Sequence, residues 1–307
     1  MSTDVIALDG ITKRYGSTTA VSDLTLTVSA GEMFGVIGPD GAGKTTTIRI
    51  ICGLLTTDAG RARVLGLDPV GDHRRLTASV GYLSQRFSLY GDLSVDENIA
   101  FFAEIHGLRD YRARRDRLLE MTQLAPFRAR LADRLSGGMK QKLALACTLI
   151  HEPALILLDE PTTGVDPVSR REFWKLLSEF LVQGITIVMS TPYLDEAERC
   201  TRVALLHDGR LLALDRPDAL RATLPGSLFE VTTADHRRTA DLLARVPGVS
   251  DVQFFGERAH VRVASGDATT ASLRTRLETS GVSVQEIRPI RTSLEDVFIA
   301  RLNEAAS

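Results

Sequence analysis

Short, wholly apolar runs recur along the first two thirds of the chain, each beside turn residues or a helical spacing of apolar positions. "EMFGVIG" passes through a glycine loop into the helical pattern "KTTTIRIICGLL", while "PALILLDEP" and "GITIVMST" stand between turn signals. A run that is apolar at every position has no solvent-facing side, so it predicts a strand covered on both faces. Such strands alternating with helices predict an α/β sheet architecture.

Between about residues 92 and 150 the strand pattern stops. "VDENIAFFAEIHGL", "YRARRDRLLEMTQL" and residues 138–150 all have helical periodicity, which predicts a helical subdomain interrupting the sheet. Its arginine-rich part, residues 109–117, reads as the solvated face of one helix. After "LRATLPGS" the texture changes again: "SLFEVTT", "DVQFFG", "HVRVAS" and "VSVQEIR" alternate like half-exposed strands, with helices expected over residues 237–245 and 270–279. The order β-α-β-β-α-β is that of a ferredoxin-like split βαβ domain. Two domains are therefore expected, residues 1–225 and a small α+β domain over 226–307 that closes with the helix "TSLEDVFIARLNEA".

Composition narrows the partners. With 307 residues and 44% hydrophobic content the chain can build a real core, and 37 basic against 39 acidic residues give a net charge of −2. Such a balance offers no general pull toward nucleic acid or anionic lipid. No run approaches the roughly 20 apolar residues of a membrane helix, and "MSTDVIALDG" lacks the marks of a secretion signal. Cys52, Cys147 and Cys200 are far apart, and the six histidines are scattered. Reduced cytoplasmic thiols and no zinc site are the expectation.

"GPDGAGKTT" supplies the first candidate chemistry. Residues 38–46 (Gly38, Pro39, Asp40, Gly41, Ala42, Gly43, Lys44, Thr45 and Thr46) fit G-x-x-x-x-G-K-[ST] between a strand and a helix. The glycines let consecutive backbone N–H groups surround a phosphate. Lys44 adds a point charge for the β- and γ-phosphates, and the Thr45 hydroxyl is placed to ligate Mg²⁺. "ALILLDEP" ends a buried strand on Asp159, suited to hold Mg²⁺ through water, and Glu160, suited to polarise an attacking water. "LSGGMKQK" puts Ser136 and two glycines just before a helix, a second anion-binding site that is best used in trans against a nucleotide held by another chain.

On these motifs the chain resembles the nucleotide-binding subunits of ATP-binding cassette (ABC) transporters. "GPDGAGKTT" looks like the family's Walker A, "LILLDEP" its Walker B, and Leu135, Ser136, Gly137, Gly138 and Met139 its signature loop; "TTGVDP" around Asp166 is similar to its D-loop. Gln85, in "GYLSQRFSLYGDLSVDENI", matches the Q-loop residue that senses Mg²⁺ and the γ-phosphate, and Tyr15 in "KRYG" matches the aromatic that stacks on adenine. The resemblance implies a P-loop NTPase of the ABC ATPase fold, a mixed sheet core with a helical subdomain, with ATP and Mg²⁺ as cofactors and ATP hydrolysis coupled to transport. "STPYLDEAERC", "GMKQKLALACTL" and "SLEDVFI" are similar to the drug and multidrug exporter branch. That branch implies an ABC-2-type integral membrane permease on a separate chain, a second ABC ATPase chain as dimer partner, a cytoplasmic position on the inner face of the membrane, and no nucleic acid partner. The small C-terminal domain is read either as a stabilising appendage or as a dimer contact.

Two positions depart from the family pattern. Asp40 stands where Asn is commoner, and is expected to turn away and cap backbone N–H groups. Pro192 stands where family cassettes carry the switch histidine that bonds the γ-phosphate; its ring offers neither donor nor acceptor, and Tyr193 beside it is expected to point elsewhere. A positioned acid or base contributes about 10²- to 10⁴-fold, so slow hydrolysis in this chain's own site is expected despite Glu160. Two assemblies suit that: a heteromeric pair, in which this chain lends its signature loop to a competent site, or a homodimer that hydrolyses slowly. A non-transport ABC ATPase acting on ribosomes or DNA is the alternative, although such proteins usually carry tandem cassettes or a long coiled-coil insertion.

Overall fold

A computed structural model describes residues 4–85, 89–233, 236–264 and 269–306. Residues 86–88 of the Q-loop-like segment and Ser265 at the end of "HVRVAS" lie outside the described residues. The chain forms two compact units, Met1–Pro217 with Arg301–Ser307, and Asp218–Ala300.

In the first unit β1 (Asp4–Tyr15) and β2 (Thr18–Ser29) form an antiparallel hairpin, followed by β3 (Met33–Ile37), α1 (Lys44–Ile51) and β4 (Ala59–Val64). α2 (His73–Thr77) and β5 (Val80–Leu83) lead into the helical stretch, α3 (Val95–Ile105), α4 (Arg112–Met121) and α5 (Gly137–Leu149). Then come β6 (Leu155–Asp159), α6 (Pro167–Val182), β7 (Thr186–Thr191), α7 (Leu194–Ala197), β8 (Arg202–His207) and β9 (Arg210–Asp215), and α8 (Pro217–Ala222) leads into the second unit. One sheet has the order β2-β1-β4; the larger has the order β5-β6-β7-β3-β8-β9, parallel except for β9.

Every residue of β3, β6 and β7 is buried, as their uninterrupted apolar runs require. The core joins both sheets to α1: Ile6, Leu8 and Val28 belong to one apolar cluster with Phe34, Val36, Ile48, Ile51, Leu155 and Val188. Fully buried Phe34 alone represents about 3 kcal/mol of transfer free energy. Because β5, β6, β7 and β3 run parallel, the segments after them leave from one edge of the sheet, where α/β folds place their ligands. Those segments carry Gln85, Glu160, Pro192 and the glycine loop.

The helical stretch starts with a capping box, Ser94 accepting from Glu97 N while the Glu97 carboxylate accepts from Ser94 N. Its arginine-rich part is tied down more than the expected solvated face. Arg114 donates through Nε to the Leu149 carbonyl oxygen at 3.0 Å and pairs with Glu152, while Arg115 pairs with Asp96 and Asp116. Amphipathic stems let these side chains cover the ends of neighbouring helices. Cys52, Cys147 and Cys200 are free and buried.

The second unit contains β10 (Ser227–Thr233), α9 (His236–Leu243), β11 (Val249–Phe255), β12 (Arg258–Val263), α10 (Thr270–Thr279) and β13 (Val284–Ile290), and α11 (Leu294–Ala306) begins in it. Its sheet, β11-β12-β10-β13, is antiparallel throughout, in the ferredoxin-like order of elements. Phe229, Val231, Val261 and Val263 on one face pack with Leu243, Leu273 and Leu277 into a separate core.

Candidate functional site

β3 delivers the chain into a loop that needs small residues. Gly41 and Gly43 sit at φ of 82° and 96°, the left-handed region closed to most side chains, and a Cβ on Gly43 would lie 2.4 Å from the Ala20 carbonyl oxygen. Gly38 is required for space, since a Cβ there would meet the Leu206 carbonyl oxygen at 2.3 Å. Lys44 opens α1 and folds back over the loop, its Nζ donating to the carbonyl oxygens of Gly38 and Pro39 at 2.9 Å each. With no acidic residue in the first turn of α1, the loop N–H groups, the helix dipole and a buried ammonium converge on one anion site.

β6 and β7 bring the carboxylates to this site. Asp159 Oδ1 accepts from the Thr45 hydroxyl at 2.9 Å and from the Ser190 hydroxyl at 2.7 Å. Glu160 leaves the strand at φ 49°, a conformation uncommon for a residue with a side chain and held here by bonds from its N–H to Ser190 O (3.1 Å) and Oγ (3.0 Å). Its Oε1 lies 3.0 Å from Lys44 Nζ, and its Oε2 accepts from Gln85 Nε2 at 3.1 Å and the Thr163 hydroxyl at 3.4 Å. An ammonium and a carboxylate that are both buried must neutralise each other. An entering phosphate would compete with Glu160 for Lys44 and so free the carboxylate.

These groups border an open cavity of about 1050 Å³, lined by residues 39–46, Gln85, Glu160 and Thr163, by Thr18, Thr19 and Ala20 of β2, and by Pro192, Tyr193 and Asp208. That is the size of a site for a nucleotide-sized ligand. For a divalent cation the available donors are hard oxygens: the Thr45 hydroxyl, the Asp159 carboxylate and the Gln85 amide. Among the described residues no group of three or more His, Cys, Asp and Glu could hold a metal by itself. This donor set fits Mg²⁺, which binds through few protein groups and takes the rest of its shell from water and phosphate oxygens.

The turn after β7 is anchored from behind. The Thr191 hydroxyl donates to Glu196 Oε2 at 2.7 Å and accepts from Tyr193 N at 3.1 Å. Glu196, 1% exposed, also accepts from Trp174 Nε1 at 3.4 Å and pairs with Arg170 Nε at 3.5 Å. Pro192 borders the cavity. Tyr193, expected to point elsewhere, is a lining residue as well, and the Arg170 guanidinium lies 4.6 Å from its ring centre.

Tyr15 and the signature residues are not at the cavity, whereas Asp40 lines it. Tyr15, at the end of β1, is 47% exposed and does not line it, although its cross-strand partner Thr18 does. Asp40 makes none of the expected caps among the described residues: its carboxylate is 96% exposed, with Oδ1 3.9 Å from Lys44 Nζ. None of Leu135, Ser136, Gly137, Gly138 and Met139 lines the cavity. Instead the Ser136 hydroxyl caps α5 by accepting from Met139 N at 3.3 Å, Gly137 is open, and Gly138 packs so closely on α6 that a Cβ would lie 2.2 Å from the Ser169 hydroxyl. Asp166 caps α6, Oδ1 accepting from Val168 N and Ser169 N at 3.0 Å each.

Sequence reasoning missed Ser190, Thr163, Thr18 to Ala20, Asp208 and the Arg170–Glu196–Trp174 anchor. Ser190 had a signal, as a hydroxyl at the end of an otherwise apolar strand. The anchor had none, since α6 and the turn after β7 meet only in the folded chain.

Comparison with known proteins agrees with this geometry. Residues 21–163 match the ABC transporter family, and residues 216–301 match the C-terminal domain of DrrA1-3-like ATP-binding proteins. The daunorubicin resistance ATP-binding protein DrrA2 of Streptomyces coeruleorubidus is 35% identical, over 96% of this chain and 94% of that protein. The probable multidrug ABC transporter ATP-binding protein YbhF of Escherichia coli is 42% identical across 100% of this chain, but the chain spans about half of its length, 54%. A solved dimeric, post-hydrolysis ATP-binding cassette bound to ADP and Pi superposes with a TM-score of 0.62 at 27% identity, over 69% of this chain and 98% of that one. The chain belongs to the ATP-binding proteins of ABC transporters, a family of ATPases coupled to transport.

Proposed function

We propose that the chain binds and hydrolyses ATP and that its cycle powers export through an ABC-2-type membrane permease on a separate chain. The observation that carries the reading is the convergence at one end of the cavity: Lys44 beside Glu160 at 3.0 Å, Gln85 on the far oxygen of Glu160, and Thr45 bonded to Asp159. The glycine loop and Lys44 bind the phosphates. Glu160, released from Lys44 as the phosphates enter, accepts the proton of the attacking water, and the Gln85 amide keeps its carboxylate aimed. Mg²⁺ held through Thr45, Asp159 and Gln85 would supply charge neutralisation at the phosphate oxygens. Tyr15 is assigned to adenine stacking; its cross-strand partner Thr18 lines the cavity.

Pro192 brings no proton donor or acceptor to the cavity, so this site turns over slowly. The signature residues, lying away from the chain's own cavity, serve the nucleotide of a second ABC ATPase chain, with Asp166 at the same contact. A heteromeric pair accounts for an intact signature loop beside a weakened site; a slow homodimer differs from it in the rate of the purified chain.

The exporter reading is supported by the relatives' names and by the absence, among the described residues, of any helix long and apolar enough to cross a membrane. Mg²⁺, an inner-face location, the absence of a nucleic acid partner and the division near residue 226 belong to the same reading. Nothing in the relatives' names favours the ribosome- or DNA-acting alternative. The test is Lys44→Ala: nucleotide affinity is expected to fall by about 10²-fold, since charge-assisted contacts to two phosphates are lost. Unchanged affinity by calorimetry overturns the assignment. Hydrolysis by the purified chain alone at the rate of an assembled transporter overturns the heteromeric reading.

A further inference from the structure

We propose that the Tyr193 hydroxyl donates a hydrogen bond to the terminal phosphate of bound ATP, with Arg170 holding the ring in place. The inference rests on the ATP-site reading above and adds a substrate contact to it.

Strand register places Tyr193 at the phosphate end of the cavity. Thr191 pairs with Ile37, the last residue before the glycine loop, and Ser190 pairs with Asp159. Tyr193 therefore follows by two residues the point where the phosphate loop and the carboxylate strand flank β7, whereas Thr18, Thr19 and Ala20 come from the separate β1–β2 hairpin. Of the other side-chain donors at this end, Lys44, Thr45, Gln85 and Thr163 are engaged with protein groups. Lys44 bonds two loop carbonyls and Glu160, Gln85 and Thr163 bond Glu160, and Thr45 bonds Asp159. The Tyr193 hydroxyl has no partner among the described residues, although the backbone N–H of Tyr193 is bonded to Thr191.

The ring is also fixed, which a phosphate contact requires. Arg170 lies over its face at 4.6 Å and is itself anchored by buried Glu196, which takes a further bond from Trp174. A donor whose ring is already ordered loses little entropy when it meets a ligand. At a turn where Pro192 provides no polar group, the neighbouring phenol supplies one.

Tyr193→Phe keeps the ring and its stacking on Arg170 and removes only the hydroxyl. Affinities for AMP-PNP, a non-hydrolysable ATP analogue, and for ADP would be measured on the full chain with Mg²⁺. The expected result is a loss of about tenfold or more for AMP-PNP, the scale of one charge-assisted hydrogen bond, with ADP affinity unchanged because ADP lacks the terminal phosphate. Unchanged ADP binding also reports that the variant is folded. A preserved AMP-PNP to ADP ratio, or an equal loss for both, overturns the tyrosine contact and leaves the ATP site standing. Wild-type protein that binds neither nucleotide overturns the ATP-site reading, and this proposal with it.

Discussion

In the first unit Lys44 and Glu160 are only 4% and 7% exposed, yet they border an open cavity; in the second, Glu230 and Asp296 are 6% and 1% exposed and are engaged by neighbouring side chains. Glu230 accepts from Arg288 Nε at 2.8 Å and Arg258 NH1 at 3.3 Å, while Asp296 accepts from Ser293 N at 2.8 Å, Ser293 Oγ at 2.7 Å and pairs with His260 Nδ1 at 2.9 Å. Burial alone would raise both carboxyls, but the bonds from Arg288 to Glu230, and from Ser293 and His260 to Asp296, hold them below the usual carboxylate range. Buried charge therefore does not by itself mark a site. The difference is that the partners of Lys44 and Glu160 are ones a phosphate can replace, whereas the second network is closed by groups that structure alone requires.

The strongest test of that contrast is Glu160→Gln. Loss of the proton acceptor is expected to lower the steady-state ATPase rate by about 10²- to 10⁴-fold while ATP still binds; a normal rate would move Glu160 into the structural class with Asp296. Pro192→His comes next. Restoring an imidazole at this turn is expected to raise turnover by about tenfold or more, read at saturating ATP. An unchanged rate would mean that Pro192 does not limit the site.

In the second unit, Asp296→Asn is expected to cost about 2 to 3 kcal/mol in urea unfolding, because it weakens a buried hydrogen-bonded acceptor, with AMP-PNP affinity unaltered. A matching loss of nucleotide affinity would erase the contrast between the units. The smallest effect concerns His151, whose ring stacks on His106 with centroids 3.8 Å apart. Burial, reinforced by His106, lowers its pKa from 6.5 to about 4. The unfolded chain then binds the extra proton first, so the stability due to neutral His151 is complete above pH 6.5 and is lost as pH falls toward 4. His151→Gln is expected to flatten the fall in melting temperature across that window by about 2–4 °C; an unaltered slope would contradict it.

The phosphate loop and its carboxylates were legible in the sequence because their determinants are local: glycine spacing fixes the loop, and an apolar run that stops at Asp159 fixes where the acids emerge. The parallel strands were legible for the same reason. The β2-β1-β4 sheet was not, since its strands are partly exposed and β4 pairs with β1 from some fifty residues away, Ile6 opposite Val64. The place of Tyr193 was equally hidden, because Arg170, which fixes its ring, belongs to a helix whose pattern carries no record of the turn it supports.

One feature of the interior has a practical use. Cys52, Cys147 and Cys200 are at most 6% exposed, and burial pushes each thiol up, Cys200 to about 12. Thiols held protonated and out of reach do not alkylate. The natural chain is thus silent to maleimide reagents. A cysteine introduced at Val182, 88% exposed, would be the one reactive handle. A spin label there could report, without removing any native residue from the core, how two copies approach when nucleotide is added.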